Sequence, residues 1–391
     1  MEQVVRSGKW SWMGEHERAF CDEFAKFLGV KHCMLLANGT VPLQCALQAL
    51  GVTPGDEVIV PALTWVATAQ AALEIGANVV LVDIDPETYC IDPAAIEAAI
   101  TAKTKAIISA HLYGCMCDME AILNLASRHG LKVVEDTAHQ HGSRWHGRAA
   151  GALGDVGSFS FQQSKILTCG EGGALVCNDD EVYEKAFCLK HVGCRPDLVT
   201  PGNHYGRNYR ATEMQAVLLR GGLERLPEQI DRREENVALL REKLEQIGGP
   251  VRIAKPDPRV TCQSYYGVTL HYDTRRANGL TRSQYIAALA AEGCQPVVPY
   301  PPVDRTNYMN LHDTTSPVPY RAPDEIQDYA NLMLPVTERV CGEEGLILMH
   351  TCLHGDRAYV EQVVTAMQKV SGNLPAIKAH FEQQEAKERK E

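Results

Sequence analysis

The sequence predicts an α/β protein: a large domain on a mostly parallel, doubly wound sheet, followed by a smaller α+β domain. Three observations carry this expectation. Strand-like and helix-like segments alternate through the first two-thirds of the chain. Two strand candidates, Val58-Ile59-Val60 and Val79-Val80-Leu81-Val82, are continuous apolar runs, as in a sheet covered on both faces. Gly248-Gly249-Pro250 then halts a long helical stretch and marks a boundary. The reading is a large domain over 1–249, a smaller one over 250–375 and a charged tail over 376–391.

The elements follow in order. Lys31–Asn38 reads as a strand and Thr40–Leu50 as a helix, with Pro42 at an early position where its missing N–H is harmless. Glu57–Ala62 is a strand, and Thr64–Gly76 a helix with Thr64 as its N-cap. Asn78–Ile84 is a strand, Pro93–Thr101 a helix and Lys105–Leu112 a strand. Asp118–Gly130 is a helix opened by an acid and closed by glycine, and Leu131–Ala138 is the next strand. Gly157–Phe161 and Gly173–Asn178 are two further strands around a loop. Val237, Leu240, Leu244 and Ile247 keep helical spacing within a long helix over Ala211–Ile247. Beyond the boundary, Ser264–Tyr272 and Leu346–Cys352 read as strands, and Thr281–Glu292 and Arg357–Val370 as helices. Ala376–Glu391 is charged enough to be a solvated helix or disordered.

Composition narrows the classes. The chain has 391 residues, 45% hydrophobic and 22% charged, enough for two globular cores. A formal net charge of -11 argues against nucleic acid or an anionic membrane as partner. Met1 to Gly8 lack a signal peptide's apolar stretch, and no run is long enough to span a membrane, so a cytoplasmic protein is expected. The 14 cysteines are scattered, many in apolar segments, and read as reduced. Cys115 and Cys117 stand too close together for a metal clamp and lack a second pair, so no metal is expected.

The chemistry centres on Lys165, in Gly157-Ser158-Phe159-Ser160-Phe161-Gln162-Gln163-Ser164-Lys165, with Gly170-Glu171-Gly172-Gly173 behind it. Upstream, Val133-Val134-Glu135-Asp136-Thr137-Ala138 is an apolar strand ending in an acid. A lysine near a buried carboxylate and a serine-bearing phosphate loop is what a pyridoxal phosphate enzyme needs. The amine forms a Schiff base with the cofactor aldehyde, and the acid pairs with the pyridine nitrogen. Asn38-Gly39-Thr40, at a helix start, suits a phosphate but is also an ordinary turn. Trp65 follows a strand end, where it stacks on a flat ring or lies in the core. Asp136 is otherwise a helix cap or a structural ion pair. His139 is a candidate contact for cofactor ring or substrate, whereas His141 reads as structural. Ser160 is a phosphate donor, and Asn208 and Arg210 either complete that site or belong to a polar loop.

Together these motifs resemble the sugar aminotransferase group of fold-type-I pyridoxal phosphate enzymes, the DegT–StrS family. The resemblance runs from about Gly8 to Val370 and also rests on Pro61 to Trp65 and Gly206-Arg207-Asn208-Tyr209-Arg210. It implies a seven-stranded sheet, Lys165 as the Schiff-base lysine, Asp136 as the ring-nitrogen partner and Trp65 as the stacking residue. Gly39, Thr40 and Ser160 would hold the phosphate. Asn208 would reach the phosphate of a neighbouring subunit, in a homodimer with shared sites. Asp85 to Pro93, His111-Leu112-Tyr113-Gly114 and Gln162 to Gly173 are most similar to enzymes of aminocyclitol antibiotic pathways. Those take the amine of glutamine, with glutamate the other donor to consider, and place it on a keto-cyclitol such as scyllo-inosose. The 3-amino-5-hydroxybenzoate synthases share Ala138-His139, which keeps an aromatising reaction open. Nucleotide-sugar aminotransferases often carry glutamine where this chain has His139. A family dehydratase would replace Lys165 by histidine, and a regulator without activity would have a damaged site, whereas Asp136, Ser160 and Lys165 are intact.

Overall fold

A computed structural model describes residues 1–12, 14–194, 205–311 and 327–389. Five strands come first: β1 (His32–Leu36), β2 (Glu57–Pro61), β3 (Asn78–Val82), β4 (Thr104–Ala110) and β5 (Lys132–Asp136). A short ribbon of β6 (Arg144–Trp145) and β7 (Arg148–Ala149) precedes β8 (Val156–Ser160) and β9 (Gly173–Cys177). Seven of them form one sheet in the order β1-β9-β8-β5-β4-β2-β3. Its β2–β3, β2–β4, β4–β5 and β5–β8 pairs are parallel, and only β9 runs against its neighbours. This is the mostly parallel seven-stranded sheet expected.

Both sheet faces are buried, which is why the strands read as unbroken apolar runs. Val58, Val60, Val79, Leu81, Ile108 and Val134 join one cluster. Their alternates Ile59, Val82, Ile107 and Val133 join the other. After a short α1 (Glu2–Ser7), the helices that cover these faces are α2 (Glu15–Leu28), α3 (Thr40–Ala49), α4 (Ala67–Glu74), α5 (Pro93–Ala99), α6 (Met119–His129), α7 (Asp180–Lys190) and the long α8 (Glu213–Ile247). Local chemistry sets their ends. Asp118 accepts from Ala121 N–H at the start of α6, and Gly130 closes it with φ 66. Thr212 and Gln215 form a capping box on α8.

The far edge of the sheet is sealed by a side chain. Gln327 accepts from Leu81 N–H at 2.8 Å and donates to Leu81 C=O at 3.0 Å, giving β3 the pairing a further strand would have offered.

The C-terminal region holds β10 (Val251–Ile253), β11 (Val260–Cys262), β12 (Gly267–Tyr272) and β13 (Gly345–Met349), with α9 (Arg282–Ala291), α10 (Pro335–Arg339), α11 (Arg357–Gly372) and α12 (Leu374–Glu388). β10, β12 and β13 form an antiparallel sheet, while β11 pairs with β6 and ties this region to the first. Its core includes Val237, Leu240 and Leu244, so the last turns of α8 pack here, ahead of Gly248.

Two local expectations need correction. Thr64 is not a cap, because α4 begins at Ala67 with Val66 before it. β13 stops at Met349, and His350–Leu353 is a 3-10 turn. Of the two forms expected for the charged tail, the helix is the one found, as α12 from Leu374; residues 390 and 391 lie outside the described residues.

The strand register brings functional residues to one edge. Ala110 pairs with Asp136, Asp136 with Ser158, and Ser160 with Gly173, which also pairs with Leu36 just before Asn38. The carboxyl ends of a doubly wound sheet are where ligands bind. Phe24 of α2 braces that edge from below. It is fully buried, with ring centroids 5.0 Å from Phe159 and 5.7 Å from Phe161, both edge-to-face. Phe24→Ala is expected to cost about 3–5 kcal/mol, read as a lower urea midpoint at unchanged slope.

Candidate active site

One cavity of about 480 Å³ opens at this edge. Gly39, Thr40, Trp65, Asp136, His139, Ser160 and Lys165, seven of the residues singled out in the sequence, line it. Asn208 does not. It is exposed and bridges to His191.

Lys165 sits on the loop joining β8 to β9. The loop is wound tightly: Lys165 N–H donates to Gln162 C=O at 2.9 Å, and Ser164 donates to Gln162 Oε1 from both backbone and hydroxyl at 2.7 Å. His350 Nε2 donates to Ser164 C=O at 3.0 Å. Burial lowers the Lys165 amine to about 8, against the pull of the Asp136 carboxylate.

Asp136 and Glu135 are adjacent acids at the end of β5 that face opposite ways, as strand alternation requires. Glu135 turns inward and accepts N–H groups from Gly151 (2.9 Å), Leu153 (2.7 Å) and Gly154 (2.7 Å). It also accepts from His111 Nε2 at 3.1 Å, because His111 Nδ1 is taken by the Cys117 N–H. Glu135 is therefore structural, and Asp136 is the acid that meets the cavity. Burial raises the Asp136 carboxyl above the usual range. The Thr68 hydroxyl at 2.8 Å, the Ala138 N–H at 3.2 Å and the Lys165 charge pull it back. Thr64, misread as a cap, instead meets the Thr68 hydroxyl at 2.9 Å and so supports the same acid from behind.

At the other end, Gly39 packs directly on Ser160. A Cβ at Gly39 would stand 2.5 Å from Ser160 Cβ, so only glycine fits. Asn38 Oδ1 accepts the N–H groups of Thr40 (3.0 Å) and Val41 (3.2 Å). Those two donors are thus already engaged, while the Thr40 and Ser160 side chains line the cavity.

His139 is buried in the cavity wall, with Nδ1 accepting the Tyr113 N–H at 3.1 Å. Burial and the Lys165 charge keep it well below the usual imidazole value. In the neutral ring Nε2 then carries the proton. His141 donates from Nε2 to Ser160 C=O at 2.9 Å and is structural, holding the loop from behind. Trp65 is 56% exposed, which excludes a core role, and stands edge-on to Tyr300 with centroids 5.3 Å apart. Arg210 faces His191 Nδ1 at 3.1 Å rather than the cavity.

Sequence reasoning missed Thr68, Tyr266 and Tyr300. Thr68 carried a usable signal, a second hydroxyl one helical turn beyond Thr64. Tyr266 and Tyr300 reach the cavity from the C-terminal region, and no local pattern links them to Lys165.

The chain is 41% identical over 385 residues to a Streptoalloteichus tenebrarius protein provisionally named L-glutamine:3-amino-2,3-dideoxy-scyllo-inosose aminotransferase, covering 97% of this chain and 92% of that one. It is 39% identical over 390 residues to the L-glutamine:2-deoxy-scyllo-inosose aminotransferase of the same organism, covering 95% and 91%. The crystal structure of 3-amino-5-hydroxybenzoic acid synthase superposes with a TM-score of 0.83 at 33% identity, covering 95% of each chain. Residues 1–367 match the profile of the DegT/DnrJ/EryC1/StrS aminotransferases, and the chain belongs to that family.

Proposed function

We propose that this aminotransferase uses pyridoxal phosphate to move the amino group of glutamine onto the ketone of a keto-cyclitol. The observation that carries the reading is an amine and a carboxylate, Lys165 and Asp136, on the wall of one cavity. The residues fit the cofactor. The two hydroxyls beside the close Gly39–Ser160 contact suit its phosphate, Asp136 suits a ring N–H, and Trp65 and His139 offer flat faces to a planar ring.

When bound, the cofactor supplies an aldehyde that exchanges amines and a ring that draws electron density from the reacting carbon. The protein's residues do the rest. Asp136, oriented by Thr68, would pair with the ring nitrogen and favour its protonated form. Lys165 would hold the cofactor through its aldehyde and, once released, would take and return the proton on the substrate carbon as base and acid. Its lowered proton affinity suits both roles near neutral pH. His139, neutral and donating from Nε2, offers a hydrogen bond to an oxygen on the ring or the substrate.

The substrate class is supported by the relatives named for glutamine and inosose derivatives, and by the charge of the wall. Among the described residues lining the cavity, Lys165 is the only lysine or arginine, against Asp136 and Glu171. A nucleotide-linked sugar carries a diphosphate that calls for cationic partners, whereas a keto-cyclitol is uncharged. Asn208, exposed and away from this cavity, would serve the site of a second copy in a homodimer.

Lys165→Ala should reduce turnover by roughly three orders of magnitude or more and remove the visible absorption of the cofactor–lysine linkage; full transamination by this variant would end the assignment. With the amine at about 8 in the cofactor-free enzyme, the rate of cofactor capture should rise roughly tenfold from pH 7 to pH 9 and then level off. Stopped-flow absorbance across that range measures it. For the acceptor, the enzyme converted to its amine-loaded form by glutamine should be discharged by a keto-cyclitol and not by a nucleotide-linked keto-sugar. An ultraviolet-absorbing aromatic product would favour the aromatising alternative instead.

A further inference from the structure

The C-terminal region places one ring against the lysine. Tyr266 lies just before β12, and Lys165 Nζ is 4.6 Å from its ring centroid. Its hydroxyl is 3.1 Å from the Ser164 hydroxyl, on the residue preceding the lysine. Its carbonyl accepts the His350 N–H at 3.1 Å, and His350 in turn donates to Ser164 C=O. One pair of neighbouring strands thus grips Ser164 through both its side chain and its backbone.

The backbone is shaped to deliver this ring. Tyr265 adopts a left-handed conformation, φ 51, so the two consecutive tyrosines diverge. Tyr265 enters a separate cleft, and Tyr266 enters the cavity. A Cβ at Gly114 would meet Gly267 C=O at 2.4 Å, so the loop after β4 can approach the start of β12 only through glycine. His139 stacks on the Tyr266 ring with centroids 3.9 Å apart and a 17° interplanar angle, fixing its plane.

We propose that Tyr266 is a positioning residue for Lys165: its ring face steadies the ammonium form over the cavity, and its hydroxyl holds the lysine loop through Ser164. The inference rests on the reading of Lys165 as the reactive amine. The titratable groups facing that amine are Asp136 from β5, His139 and His141 from the loop after it, His350 after β13, and Tyr266, Tyr300 and Glu171 on the cavity wall. The three imidazoles are held neutral by burial, which leaves the Asp136 carboxylate and the Tyr266 ring face to stabilise the cation.

The test titrates Lys165 in the cofactor-free enzyme by its pH-dependent labelling with an amine reagent, read on the Lys165 peptide. This readout needs no substrate, so it stands apart from the donor and acceptor assignment. Wild type should titrate near 8 and Tyr266→Phe with it, while Tyr266→Leu should titrate about half a unit to one unit lower. An unchanged or higher value in Tyr266→Leu overturns the ring's role. The hydroxyl's role is read in the loaded enzyme, which also covers the case in which the leucine variant does not fold. Tyr266→Phe and Ser164→Ala should each lower kcat several-fold with KM little changed, and the double variant should be no slower than either. Additive losses would overturn the contact.

Discussion

The need to pair a buried carboxylate organises this molecule. Asp136 ends β5 between two parallel neighbours, where an unpaired negative charge is costly. The Thr68 hydroxyl and the Ala138 N–H satisfy part of it. Neither brings a charge. The cationic groups the cavity admits are the Lys165 amine and, with cofactor in place, a protonated ring nitrogen. The helix that supplies Thr68, the loop that supplies Lys165 and the turn that leaves an anion cradle at Ser160 are all arranged around that oxygen pair.

A second constraint is that the catalytic edge of the sheet is unfinished by the N-terminal sheet alone. Loops after β1, β2, β5 and β8 give the cradle, the acid and the lysine. The remaining wall comes from Tyr266 and Tyr300, more than a hundred residues downstream in the sequence. Tyr113 joins the two regions: the Tyr300 N–H donates to its hydroxyl at 2.9 Å, while its own N–H engages His139. Fixing the C-terminal region therefore also fixes the tautomer and plane of a cavity histidine. The long α8 supports the same union, since its last turns pack into the core of the C-terminal sheet.

These two constraints explain what the sequence revealed and what it hid. Strands β2 to β5 were legible because burial on both faces writes uninterrupted apolar runs. Asp136, Ser160 and Lys165 were legible because their motifs sit within single turns or strand ends. Helix α2 was legible in principle but passed over: Phe20, Phe24 and Leu28 recur at one-turn spacing against a charged opposite face, an ordinary amphipathic pattern. Thr64 was misassigned because a threonine before a helical pattern is ordinarily a cap, and here a tertiary partner, Thr68 with Asp136 behind it, overrides the local preference. Trp65 was ambiguous because an indole's burial is decided by what covers it. Tyr266 had no sequence signal: its role depends on a left-handed Tyr265 and on a close glycine contact across the chain.

The charge balance of the cavity bears on its substrate as strongly as any single contact. Burial keeps His139, His141 and His350 neutral, so they offer hydrogen bonds without adding positive field. That leaves one amine, one carboxylate and an exposed Glu171 on the described wall. Once the amine is engaged with a cofactor, the remaining side-chain charge of the wall is negative. The described wall offers a diphosphate no lysine or arginine beyond Lys165, whereas the hydroxyls of a neutral ring can be met by its hydrogen-bonding groups. It also distinguishes between donors, since the uncharged amide of glutamine enters this field more readily than the second carboxylate of glutamate. The same electrostatic argument thus supports the proposed pairing of a polyhydroxylated ketone with an amide-bearing amino acid.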